Sequence, residues 1–140
     1  DAALWQAVCD RLDSKKDLEK LPDAAWVYYL SRRVEWQVGN GGFAQAVLNV
    51  PHLLEPAAEA FDMLGKPLVA ARIREAHTLC EKEKASLPEI QPDGLDSISE
   101  YFHDNAFDHL DEGLDEIGFW SDKERLAFVR AHRDEFRDVS

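Results

Sequence analysis

The sequence predicts an all-α fold, a single compact multi-helix domain over residues 1–140, and three observations carry that reading. Apolar residues recur every three to four positions in successive windows, and no run alternates with the period of two that a half-buried strand needs. Prolines and glycines fall mostly at the ends of these windows, with Gly113 inside the acidic one as a candidate bend. Apolar residues make up 45% of 140 positions, enough for one ordinary core.

The elements follow in order. Leu4, Val8 and Leu12 mark a short first helix ending near Ser14. After "KLPD", Trp26, Leu30, Val34 and Val38 share one face of a longer helix, with Asp23 as its expected N-cap and Gly39 as its expected end. Phe43 to Val50 reads as a further short helix closed by Pro51, and Pro56 or a neighbour opens the next, through "AAEAFDML" to Gly65. Pro67 suits the first position of a helix reaching about Ala85, with Val69, Ile73, Ala76 and Cys80 inward. "SLPEIQPDG" connects it to an acidic helix starting near Ile98, where Ser97 and Glu100 have capping-box spacing. Ser121 and Glu124 repeat that spacing before a last helix, "DKERLAFVRAHRDEF".

Charge is the sequence's strongest signal. The formal net charge is −12, from 28 acids and 16 bases. The 38 residues between Lys84 and Lys123 hold 11 of those acids and no base, leaving 17 acids against 16 bases elsewhere. Such a surface repels nucleic acid and anionic membranes and attracts basic proteins. No run approaches the roughly 18 apolar residues of a membrane span. Two cysteines without CxxC spacing read as free thiols of a reducing compartment, hence a cytoplasmic protein, although a start at Asp1 leaves a removed leader open.

Within "EYFHDNAFDHLDEGLDE", an ideal helix places Glu100, Asp104, Asp108, Asp111 and Asp115 within about an 80° arc, with Glu112 and Glu116 flanking. Phe102, Ala106, Leu110, Leu114 and Ile117 would anchor the opposite side. Like charges one turn apart cost about 0.2–0.5 kcal/mol per pair, which a few lysines would relieve. The stripe therefore reads as a docking face for something basic, with an ordinary solvated face as the alternative. Five carboxylates over about 22 Å give one charge per ~5.6 Å, against one per ~3.4 Å of axis along a DNA strand. His103 and His109 beside Asp104, Asp108, Asp111 and Asp115 offer metal ligands, but they lack HExxH or EF-hand spacing, and no metal or cofactor is expected.

"GNGGFA" at 39–44 matches the glycine spacing of a dinucleotide loop, but a helical pattern precedes it where a strand is required. A sharp corner between helices explains it better, with Gly39, Asn40, Gly41 and Gly42 supplying the turn and Phe43 entering the core. Gln45 and Asn49, one turn apart, are expected to bond loop carbonyls.

"VEWQVGNGGFAQAVLNV", with its NGGF-x-Q-x-x-x-N element, resembles the signature of the bacterial DNA-mimic protein family. "AFDMLGKPLVAARIREA" looks like that family's helix pair, and "FDHLDEGLDEIGFW" with "RLAFVRAHRDEF" is similar to its C-terminal part, so the likeness covers about residues 20–136. Positions 46 and 47, often aromatic in the family, are Ala46 and Val47 here. The resemblance implies an all-helical, commonly dimeric protein with an acidic surface. It also implies a mode of action in which the DNA-binding face of a transcription factor is occupied.

No nucleophile has a convincing partner. His77 and Cys80 sit within an apolar-periodic helix, Ser31 and Ser86 lack nearby bases, and His52 lies between helices. The reading is therefore a non-enzymatic, acidic DNA mimic that binds a basic DNA-binding protein, does not itself bind nucleic acid, and can form a homodimer. The alternative is an immunity-type module neutralising a basic partner such as a toxin nuclease. A metal-dependent hydrolase using the Asp/His cluster is the third reading.

Overall fold

A computed structural model describes residues 2–10, 23–83 and 106–137. These form helices α1 (Ala2–Asp10), α2 (Asp23–Asn49), α3 (Leu54–Met63), α4 (Pro67–Lys82), α5 (Asp122–Ala131) and α6 (Arg133–Arg137), with 3-10 turns at Pro51–Leu53 and Asp108–Asp111. No strand occurs among the described residues. The fold is all-α, as the 3.6-residue periodicity predicts.

The main core joins the helices expected to build it. Leu30, Val34 and Val38 of α2, Phe61 of α3, and Val69, Ile73, Ala76 and Cys80 of α4 are buried together with Phe107, Leu110 and Phe119. Burying a large aliphatic or aromatic side chain of this kind is worth about 1.5–3 kcal/mol. Ala57, Ala58, Ala60 and Ala70 are also fully buried. Such small side chains let α3 and α4, joined by three residues, pack closely. A second cluster lies at the other end of α2, where Val8 of α1 and Phe136 of α6 meet Ala24, Ala25 and Tyr28. There the Trp5 ring stacks on Tyr29 at 5.6 Å, and Tyr28 meets Phe136 edge-on at 5.9 Å.

Several boundaries differ from the sequence reading, each for a tertiary reason. Asp23 is the first residue of α2 rather than its cap. The Ala24 N–H instead donates to Glu135 Oε1 of α6 at 3.1 Å, so a residue 111 positions away supplies the acceptor. Helix α2 runs past Gly39 and breaks only at Gly41 and Gly42. Ser121 does precede α5, but the capping box does not form: the Ser121 hydroxyl donates to Phe119 O, and its N–H donates to Glu35 of α2. The last helix divides at His132 into α5 and α6.

The largest correction concerns the acidic segment. Residues 106–118 are turns around the Asp108–Asp111 3-10 helix, not a continuous α-helix, so the 80° stripe does not exist over these residues. Three features explain the loss. Gly113 has φ +68 and Gly118 φ +67, values that favour glycine and end helical winding. The Phe119 N–H donates to Leu114 O and the Gly118 N–H to Asp115 O, the paired bonds that close a helical turn through a left-handed glycine. Arg72 of α4 donates to the carbonyls of Leu110 and Glu112 at 2.8 and 2.6 Å, taking backbone acceptors that an α-helix would use internally. Glu100, Asp104, His103 and the Ser97–Glu100 box lie outside the described residues.

Candidate functional site

The site is built on the corner in α2. Gly42 has φ +73 and ψ −176, a backbone region essentially confined to glycine. An added Cβ there would also lie 2.4 Å from Asp111 Oδ2. A Cβ added at Gly41 would crowd the root of the Gln45 side chain, 2.8 Å from its Cβ. Phe43, the next residue, is fully buried against Phe119, with ring centroids 5.8 Å apart.

Polar groups then lock the corner. Gln45 Nε2 and Asn49 Nδ2 both donate to Gln37 Oε1, at 2.9 and 3.0 Å, across the break. Their expected loop-carbonyl partners are thus replaced by one buried side chain on the preceding arm of α2. The reason is geometric: Gln45 and Asn49 lie one turn apart on the second arm, so both amides reach the same acceptor. Asn40 Nδ2 approaches Gln45 Oε1 at 3.5 Å. Phe43, Gln45 and Asn49 of the NGGF-x-Q-x-x-x-N element thus hold the corner together.

The corner is also where the acidic segment attaches. Asp111 Oδ1 accepts the Phe43 N–H at 2.8 Å, capping the second arm of α2 from 68 residues away. Burial pushes the Asp111 carboxyl above its usual value, and neighbouring Asp108 adds to the rise; the Phe43 N–H and Arg72 pull the other way. Asp111 is thus an internal latch. Asp108, Glu112, Asp115 and Glu116 remain exposed, and Asp115 Oδ1 accepts from Trp120 Nε1 at 2.9 Å. The structure therefore separates the five described members of the expected stripe into one anchor and four surface carboxylates.

Next to this segment lies a buried ionic cluster that periodicity did not reveal. Arg125 of α5 is 2% exposed and pairs with Glu35 of α2, which is 8% exposed. It also donates to Asp122 Oδ1 at 2.9 Å and to the Ser31 hydroxyl at 3.2 Å. Burial raises the Glu35 carboxyl above its ordinary value, although the Arg125 charge and the Ser121 N–H oppose the rise. Ser31, read as lacking a base, is held by this arginine and donates to Tyr28 O. An open groove of about 440 Å³ borders the cluster, with Trp36 and Trp120 among the residues lining it.

Among the described residues no group of histidine, cysteine and carboxylate side chains could hold a metal ion. Cys9 and Cys80 form no disulfide, and Cys80 is buried in the main core. His52 lies in the Pro51–Leu53 turn. Among the described residues no helix is long and apolar enough to cross a membrane.

Comparison with curated proteins and with solved structures found no match. A family model does match, over residues 19–132, nearly the span that carries the NGGF resemblance and its downstream helices. This chain belongs to the family described as DMP19-like protein.

Proposed function

We propose that this chain is an acidic DNA mimic: it binds a basic DNA-binding protein, such as a transcription factor, and competes with DNA for it. The observation that carries the proposal is the pinned acidic segment. Residues 106–118 hold five carboxylates and no lysine or arginine, and four of them face solvent. The segment is tied to the fold at Phe43 through Asp111 and at two carbonyls through Arg72. Charges presented on fixed backbone lose less conformational freedom on binding than charges on a mobile tail.

Asp108, Glu112, Asp115 and Glu116 are the proposed contact residues, with Glu100 and Asp104 preceding them in the chain. Asp111 is withdrawn from the contact set because its carboxylate is spent on Phe43. No enzymatic step, metal or cofactor enters the proposal, and direct nucleic-acid binding is disfavoured by the net charge of −12. A homodimer would present two such segments, and sedimentation velocity would reveal it. The immunity-type reading shares the electrostatics, and no observation favours it.

The test is retention of a DNA-binding protein from the source cell's lysate on immobilised protein, followed by elution with duplex DNA. Displacement by duplex is the expected result, together with affinity that falls as salt rises. A folded Asp108→Lys/Glu112→Lys/Glu116→Lys variant should lose at least roughly tenfold in affinity, since like-charge juxtaposition at an interface costs several kcal/mol. Retention that duplex cannot displace, or undiminished binding by the variant, would refute the proposal.

A further inference from the structure

The groove beside the ionic cluster is walled by the two most exposed tryptophans of the described residues. Trp36 is 58% exposed and Trp120 is 47% exposed, whereas the other aromatic rings among the described residues are buried or half-buried. Trp120 is not loose. Its Nε1 donates to Asp115, its ring stands edge-on to Phe119 at 5.1 Å, and its Cζ3 would lie 3.3 Å from a Cβ added at Gly39. One wall is thus set in place before any ligand arrives. The same side chain joins the groove to the acidic segment through Asp115.

The most exposed charge on the groove is a carboxylate. Glu35 and Asp122 line it, and the Asp122 side chain is 95% exposed. Arg125 lies buried beneath, paired with both of those carboxylates, and Arg32 is itself among the lining residues. The Arg32 guanidinium is engaged at the α1 side, 4.6 Å over the Trp5 ring and donating to Tyr28 Oη at 2.7 Å, which leaves Asp122 as the outward-facing charge. An anionic ligand would meet the exposed Asp122 carboxylate, and an aliphatic one would make no use of its outer edge. A flat, weakly hydrated cation satisfies both features, because guanidinium stacks on indole faces while its edge N–H groups donate to carboxylates.

We propose that this groove takes an arginine side chain of the partner protein, with the guanidinium against the Trp36 and Trp120 indoles and its N–H groups on Asp122. The inference rests on the DNA-mimic reading for the nature of the partner and adds a side-chain preference to it. The acidic segment attracts any cation, whereas the groove distinguishes arginine from lysine, whose compact ammonium holds its water more tightly.

The test titrates hexa-arginine and hexa-lysine into the full chain, following the indole N–H signals by NMR and the affinity by calorimetry. Hexa-arginine should bind roughly three- to fivefold more tightly, the scale of one exposed cation–π contact, and should move the Trp36 and Trp120 signals more than that of Trp26. In a Trp36→Ala variant whose melting temperature is unchanged, the arginine preference should vanish while hexa-lysine binds as before. Trp36→Phe should restore part of the preference. Equal affinity for the two peptides in the parent protein, or a preference that survives Trp36→Ala, overturns the groove assignment. Equal, salt-sensitive binding leaves the acidic-segment reading standing, whereas binding of neither peptide at low salt counts against both.

Discussion

Replacing Asp111 separates its role as an anchor from any role as a contact. In Asp111→Ala, the Phe43 N–H at the start of the second arm of α2 loses its acceptor. Replacing a capping acceptor by alanine costs about 0.5–2 kcal/mol, and leaving a buried donor unpaired costs about 1–3 kcal/mol, so ~1–2 kcal/mol is expected. A 140-residue domain unfolds with an entropy near 0.3 kcal/mol per kelvin, so the melting temperature should fall by roughly 3–7 °C. Asp111→Asn keeps an oxygen acceptor and removes the charge beside Asp108. Because burial raises the Asp111 carboxyl, the folded state holds its proton more tightly than the unfolded chain does. That favours the fold below the ordinary aspartate value of 3.8 and is lost as pH rises through the elevated folded value. Asp111→Asn should therefore melt at or slightly above the parent at pH 7, with the difference shrinking as pH drops toward 3. Differential scanning calorimetry across that range reads both effects. Equal destabilisation by the asparagine and alanine variants, or no loss in Asp111→Ala, would refute the anchoring role.

Other perturbations probe the frame. Arg125→Met strands the Glu35 carboxylate in the interior and should cost about 3–5 kcal/mol by urea denaturation. That deficit should narrow as pH falls toward the ordinary glutamate value, since the stranded carboxyl then takes up a proton, and Glu35→Leu in the same chain should recover much of it. Gly42→Ala forces a side chain into a backbone region worth ~1–3 kcal/mol of strain and drives its Cβ toward Asp111. Its melting temperature should drop further than that of Gly113→Ala, where the nearest neighbour is 3.4 Å away at the end of the Glu116 side chain. Gln37→Leu removes the shared acceptor of Gln45 and Asn49 and should speed amide hydrogen exchange at residues 43–49 selectively.

Local order was legible in the sequence where one face of one helix decides the outcome. The inward positions of α4, the Pro67 start, the burial of Phe43 and the glycine corner all follow from periodicity and backbone permissiveness. The acidic stripe failed for the same reason that those succeeded: a helical wheel assumes continuous helix, and Gly113, Gly118 and Arg72 decide otherwise. Of these, the glycines were visible, whereas Arg72 lies on a different helix and gives no local sign of its target. Glu35 and Arg125, 90 positions apart, read as ordinary surface charges in a wheel diagram, since nothing local marks a charge that a partner will neutralise in the interior.

The sequence by itself determined the all-α class, the core faces of α2 and α4, the need for glycine near residue 42, and the concentration of uncompensated acid between Lys84 and Lys123. Each depends on composition or on neighbours within a turn or two. Only the tertiary structure decided that Asp111 serves the interior while Asp108, Glu112, Asp115 and Glu116 face solvent. It alone showed that Glu135 and Asp111 supply acceptors to the two arms of α2, and that Trp36 and Trp120 border one groove. Those outcomes are set by hydrogen bonds and close approaches between residues far apart in the chain, which local periodicity does not encode.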